Sequence, residues 1–338
     1  MTIRQFILKV RRKLWYYLVS STRNKRIYPY IYKSYWHYLL HGTSAAITSD
    51  SCYFGARPNP GAGIGHQIAN WIAGFWFAKQ FGLKFAHIPF SQQSWETFLG
   101  FGDEEMTSVD LVKLKGYKKR LLPLFDEYNT KEIDLVKNII SSFHGKKIVF
   151  IAEQDQFYRD QFGVMTEIKD KFYSAKARID DKLLYSSDYF NIAIHVRRGD
   201  IVVGQFNRNE NLLMRWQANE YFETVLANVV QTIKPAKPIA IYLFSQGVKE
   251  DFKDFDRFEN LNFCLDMGAK DSFLHMVYAD LLITSKSSFS YKPALLNRGI
   301  KVCPKDFWHG YPQTADWILV DQNGVLDEKG VNILRMIK

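Results

Sequence analysis

Two adjacent arginines, Arg197 and Arg198, follow directly on the apolar run Asn191 to His195 and precede Gly199 and Asp200. A guanidinium presents a planar fork of N–H groups that fits two phosphate oxygens at once, and it stays charged at any working pH. Gly199 lets the turn bring backbone N–H groups close to an anion. The pattern reads as a phosphate grip, the competing reading being that Asp200 pairs with one arginine and braces the loop. A second cluster, Ser285-Lys286-Ser287-Ser288, precedes a helical run that starts at Phe289. It puts hydroxyls and free N–H groups at a helix N-terminus, which favours a phosphate or diphosphate, or else a serine simply caps the helix. Its pairing with the double arginine in one sheet favours the anion site. There is no GxxxxGK[ST] segment, which argues against a P-loop ATPase.

These residues need a frame that brings strand ends together. Ser51 to Gly65 is dense in Gly and Pro and reads as strand then loop. Helical spacing follows over Gln67 to Phe81, then a strand over Leu83 to Ile88. Helices are predicted at Lys131 to Phe143 and Phe162 to Ala177, with a buried strand at Lys147 to Ala152. From Asn191 the alternation is regular: strands at 191–195, 239–244, 261–265, 281–284 and 300–302, and helices at 218–232, 271–278 (Asp271 as N-cap) and 289–296. Strands alternating with helices predict an α/β fold with parallel, doubly wound sheets. Ligands of such sheets lie beyond the carboxyl ends of the strands, where His195 to Asp200, Ser245 to Gly247, Asp266 to Gly268 and Ser285 to Ser288 fall.

Length and charge set the organisation. At 338 residues two domains are expected: a basic aromatic N-terminal arm over residues 1–50, an N-terminal Rossmann-like domain over 51–187 and a C-terminal one over 188–338. The net charge of +10 is concentrated in the arm, where Met1 to Ser49 holds nine Lys or Arg and no acid. Within it, Phe6 to Val19 joins Arg11, Arg12 and Lys13 to Trp15, Tyr16, Tyr17 and Leu18. That composition suits a helix lying on an anionic membrane face, and it equally suits an ordinary packing helix. No run is long and apolar enough to span a bilayer. Cys52, Cys264 and Cys303 lie in no metal-binding or disulfide spacing, so a reducing compartment is expected. A nucleic-acid-binding protein is disfavoured, because the basic surplus sits in one terminal segment without a binding motif.

The segment IHVRRGD resembles the HxRRGD motif of the α1,2- and α1,6-fucosyltransferase superfamily, and the likeness is nearest glycosyltransferase family 11. Three further segments agree in order and spacing: GAGIGHQ at 61–67, IYLFSQG at 241–247, and ADLLITSKSSFSYKPAL at 279–295. The resemblance covers Gly61 to Trp317. It implies a GT-B fold of two facing Rossmann-like domains, with the donor held mainly by the C-terminal one and the acceptor on the side of the other. It also implies inversion at the anomeric carbon and GDP-fucose as co-substrate, without a cofactor or metal. The sequence agrees on the last point, since Asp251, Asp254 and Asp256 in DFKDFD read as a solvated helix face, and arginines can neutralise a leaving diphosphate.

Carried over by position, the donor ligands are His195, Arg197, Arg198, Asp280, Ser287 and Ser288, with Arg197, Arg198 and Asp200 at the reacting centre. The acceptor-side loop is Gly63, Gly65, His66 and Gln67. His195 also reads as a buried strand-end histidine bonded to backbone, and Asp280 as a strand cap or a partner of Lys286. Two departures stand out: His66 replaces the family's Asn, and Gln205 occupies the place where an α1,6 relative has its proposed base, a Glu. The base is then Asp200, Glu210 or Asp271, or the transition state is loose enough to need none. The expected activity is transfer of fucose to a saccharide hydroxyl in surface-glycan assembly, at the cytoplasmic face of a membrane. A different nucleotide-sugar donor, and a silent fold that binds glycan or nucleotide, are the alternatives.

Overall fold

The computed structural model describes residues 3–43, 51–59, 61–153, 158–202 and 210–337. They form two compact α/β units. The first comprises Met1–Gly61, Ala69–Ser91 and Glu104–Tyr158, and the second Ala62–Ile68, Gln92–Asp103 and Arg159–Lys338.

The first unit holds a parallel sheet of β1 (Cys52–Arg57), β2 (Lys84–Phe85), β3 (Lys118–Leu121) and β4 (Ile148–Glu153), in the order β2-β1-β4-β3. The β4 sequence IVFIAE is buried at every position but the last, as a parallel strand covered on both faces must be. The strand expected over Leu83 to Ile88 shrinks to two residues, and His87 continues only as a bridge to Thr107. β3, with the sequence KKRL, was invisible to hydrophobic periodicity because its side chains are exposed or half-buried.

The N-terminal segment does not stand apart as an arm. Its helix Ile3–Thr22 sets Val19 beside Tyr28, Tyr32 and Leu124 in a small apolar cluster. Tyr28 Oη accepts from the Leu124 amide at 2.7 Å, Trp15 Nε1 donates to Glu153 at 2.7 Å, and Arg23 makes a two-pronged ion pair with Glu132. A second helix, Lys33–His41, places the Ser34 hydroxyl on the Leu121 carbonyl.

The second unit holds six parallel strands: β5 (Phe190–His195), β6 (Ile239–Ser245), β7 (Leu261–Leu265), β8 (Leu281–Ile283), β9 (Ile300–Pro304) and β10 (Trp317–Val320). Their order is β10-β9-β8-β5-β6-β7. Counted from β5, this is the doubly wound sequence 3-2-1-4-5-6, which reverses direction between β5 and β8. The apolar faces of β5, β6 and β8 meet helix Asn219–Thr232 through Phe222, Val225 and Leu226.

Two expectations are corrected here. The helix expected to start at Asp271 starts at Ala269 behind Gly268, and Asp271 sits in its first turn. The domain boundary near Ser187 also moves, since residues 159–187 belong to the second unit. There, helix Met165–Ser174 sends Tyr173 Oη to the Leu296 carbonyl at 3.2 Å, and Arg298 lies 3.7 Å over the Tyr173 ring. The helix Glu328–Arg335, capped by Asp327, and strand β10 complete the unit beyond the sequence-based assignment.

Candidate anion-binding site at the strand-order reversal

The carboxyl ends of β5 and β8 are adjacent, so the loops after His195 and Ile283 meet where a doubly wound sheet leaves its crevice. Ser287 caps helix Ser288–Leu296 by accepting from the Phe289 amide at 3.2 Å. Ser285 and Ser290 knit the same turn: the Ser285 amide donates to Ser290 Oγ at 3.2 Å. The loop after β6 is tied in by Ser245 Oγ, which donates to the Val196 carbonyl at 2.7 Å.

The two arginines part company. Arg197 donates to Asp200 at 2.8 Å and, through Nη1, to Ser287 Oγ at 3.3 Å. Arg197 thus braces the loop, as the competing reading has it, and it also reaches the cap of a helix N-terminus. Arg198 is buried, stacks 4.2 Å over Trp216, and gives its N–H groups to the carbonyls of Arg197 and Gln217 and to Asn219. Burial pushes its pKa down to about 10, against the pull of Asp251 and Glu220, so it remains a cation. Gly199 has φ +62°, a left-handed conformation that favours glycine, and a Cβ there would require the end of the Gln246 side chain to move.

His195 is buried at the end of β5 and shares a 2.7 Å hydrogen bond through Nδ1 with Ser285 Oγ, a side chain rather than the backbone. Burial first, then Arg197 and Arg198, push its pKa down to about 3, so the ring is neutral. A neutral, hydrogen-bonded ring positions the serine turn without adding repulsion to the arginines.

The expected acceptor-side loop is largely helical: Gly65, His66 and Gln67 open the helix Ile64–Gln80, and residues 62–68 belong to the second unit. Gly65 lies so close to Ser288 that a Cβ would come 2.9 Å from its backbone, whereas Gly63 faces open space. Gln67 is buried and donates from Nε2 to the Ala62 carbonyl at 2.9 Å. His66 is near His309, whose pKa is pushed down to about 2 by burial and then by Lys292, with the Arg159 carbonyl opposing and His66 adding to the fall.

Asp280 does not belong to the site. It precedes β8 and its Oδ2 accepts from the Asn191 amide at 2.8 Å, at the opening end of β5. Five residues of extended chain, roughly 16 Å, separate it from Ser285. It is a strand cap, as its alternative reading had it.

The DFKDFD segment keeps its three aspartates exposed, as the solvated-face reading expects. It lies in a 3-10 stretch, Lys249–Phe255, with Phe252 and Phe255 buried. Asp251 accepts from the Val248 amide at 3.1 Å and helps to line a cleft of about 650 Å³ together with Arg198, Trp216, Asn219, Gln246 and Gly247. Among the described residues, no three His, Cys, Asp or Glu side chains are gathered as a metal would need. Gln205 lies outside the described residues. Glu210 and Asp271 are exposed.

Sequence reasoning missed Trp216, Gln217 and Asn219. Gln217 is the hinge of the site, its backbone carbonyl accepting from Arg198 and its Oε1 from the Lys286 amide at 2.8 Å. Their only signal was position, directly before the Asn219–Thr232 helix.

No family model and no curated protein sequence matches the chain. Among solved structures it is similar to the fucosyltransferase NodZ from Bradyrhizobium, at 12% identity and TM-score 0.43, over 74% of this chain and 94% of that one. It is similar to POFUT1 in complex with GDP, at 11% identity and TM-score 0.41, over 76% and 99%. A mutant of Arabidopsis thaliana FUT1 in complex with GDP shares 10% identity and TM-score 0.42, over 85% and 79%.

Proposed function

We propose that this chain is an inverting, metal-independent glycosyltransferase that transfers fucose from GDP-fucose to a saccharide hydroxyl. The observation that carries the reading is the meeting of Arg197 with the Ser287 cap at the strand-order reversal, where a guanidinium and a helix N-terminus face the same space. A diphosphate bound there gains charge as its bond to the sugar breaks, so donors fixed in advance stabilise the transition state more than the ground state.

In the reaction, the acceptor oxygen forms a bond to the anomeric carbon from the face opposite the diphosphate. The bond from that carbon to the diphosphate oxygen breaks, and GDP leaves with the electron pair. The hydroxyl proton passes to a carboxylate or to water. Asp200 is the acid nearest the arginines, although its carboxylate is already engaged by Arg197 at 2.8 Å. That pairing also favours a second reading, in which the fold binds a nucleotide or glycan without transfer.

Surface-glycan assembly at the cytoplasmic face of a membrane is the setting this reading implies, with helix Ile3–Thr22 resting on anionic lipid. Among the described residues no helix is long and apolar enough to cross a membrane.

The test is a panel of nucleotide sugars and diphosphates scored by thermal stabilisation and turnover. A ligand at ~100 Kd stabilises the native state by about 2.7 kcal/mol. Stabilisation by GDP and GDP-fucose above all others, with turnover that survives EDTA, is the expected result. Stabilisation without turnover on any acceptor would support the silent reading, and loss of turnover on chelation would overturn metal independence.

A further inference from the structure

Arg215 follows the Glu210–Leu213 helix, and its guanidinium stacks on the Trp308 ring, 4.7 Å from the centroid. Its Nε is buried without a hydrogen-bond partner, and among the described residues no carboxylate pairs with it. Burial pushes its pKa down, Arg197 pushes it further, and Asp200 opposes both, so the group stands within Coulomb range of the Arg197–Asp200 pair. Two guanidinium groups, Arg197 and Arg215, thus stand near one carboxylate, Asp200. Arg198 already spends its N–H groups on protein acceptors. A half-buried cation with one buried, unpartnered donor beside a like charge is costly until an anion completes it.

We infer that Arg215 is a further binding residue for the diphosphate of the nucleotide donor, acting with Arg197 while Trp308 holds its guanidinium plane. This rests on the nucleotide-sugar reading above. The chemistry is that of a guanidinium fork on phosphate oxygens, and the aromatic backing lowers the entropy lost in binding.

The experiment compares GDP and guanosine binding to the full chain by calorimetry and competition, for the wild type, Arg215→Ala and Arg215→Met. The Met side chain keeps apolar contact with Trp308 while removing the charge. The Kd for GDP should rise about tenfold or more in both variants, as expected for a lost charge-assisted contact, with guanosine unchanged. A Met variant that binds GDP within about twofold of wild type overturns the inference and leaves the nucleotide-sugar reading standing. Equal losses for guanosine and GDP assign Arg215 to pocket shape and overturn it too. A wild type that binds no nucleoside diphosphate removes the reading itself, and the inference with it.

Discussion

Arg197 Nη1 stands 3.3 Å from the hydroxyl of Ser287, so the loop after β5 is hydrogen-bonded to the cap of the helix after β8. The neighbouring arginine makes no such link, since its N–H groups end on the Arg197 and Gln217 carbonyls and on Asn219. The two should therefore fail differently. Arg197→Ala should lower kcat by ~10²-fold with the fold intact, and Lys should rescue it poorly for want of a fork. Arg198→Ala should instead cost about 2–3 kcal/mol of stability, because its buried acceptors lose charge-assisted partners. Urea denaturation beside steady-state kinetics separates the two, and equal kinetic defects with unchanged stability would refute the division.

Gly65 and Gly63 offer a matched pair. A Cβ at Gly65 meets the Ser288 backbone at 2.9 Å, while one at Gly63 meets nothing within 4 Å. Gly65→Ala should push the serine turn off the arginine loop, lowering both Tm and donor affinity. Gly63→Ala should stay within about ±0.5 kcal/mol of wild type. If both substitutions prove harmless, the loop from 61 to 67 is not packed against the site.

His195 makes a pH prediction. Its pKa is about 3 in the native state and 6.5 at its ordinary value, so below the ordinary value the unfolded chain binds a proton that the native state refuses. Stability is fully present above pH 6.5 and declines as pH falls toward 3, with a limiting slope of about 1.4 kcal/mol per pH unit from this one group. His309, at about 2, adds a second such slope. Urea midpoints at pH 7, 6 and 5 should fall less steeply in His195→Asn than in the wild type. Parallel slopes would mean that the ring is already charged when folded.

The N-terminal helix exposes Phe6, Ile7, Leu14, Tyr16 and Tyr17, whereas Trp15 is tied to Glu153 and is not free to enter a lipid surface. Reversing the charges of Arg11, Arg12 and Lys13 should release the protein from anionic vesicles, at about 1 kcal/mol per charge. Trp15→Phe should leave vesicle binding unchanged and lower stability instead. Flotation across salt concentrations checks both, since an electrostatic hold fades as the Debye length shrinks to ~3 Å near 1 M. Absence of binding at low salt would make the helix a packing element alone.

Legibility in the sequence followed burial. β5, β6 and β8 were readable because their middles are buried and apolar, as in IAI, AIYLF and LLI, and the polar loops behind them then had to lie at the crevice. β3 and the Lys33–His41 helix were not, because charged or aromatic surface residues carry no period. Asp280 was misplaced because a motif records order along the chain but not which end of a strand a residue occupies. Gln217 and Asn219 were missed for a related reason: they serve Arg198 and Lys286 from a distance in sequence, and nothing local marks a residue whose partners lie elsewhere.

Helix Ser288–Leu296 is buried at every position except Phe289. A helix so enclosed has no local route by which its amides can reach solvent, so their hydrogen exchange proceeds through opening of the whole unit. Those amides thereby become a gauge of ligand occupancy. A diphosphate seated at Ser287 touches none of the backbone N–H groups of Ala294 to Leu296, yet its binding free energy should appear in full as slower exchange there, rising as RT ln(1 + [L]/Kd). Exposed surface helices, the Glu210–Leu213 turn among them, should exchange at rates that ignore it.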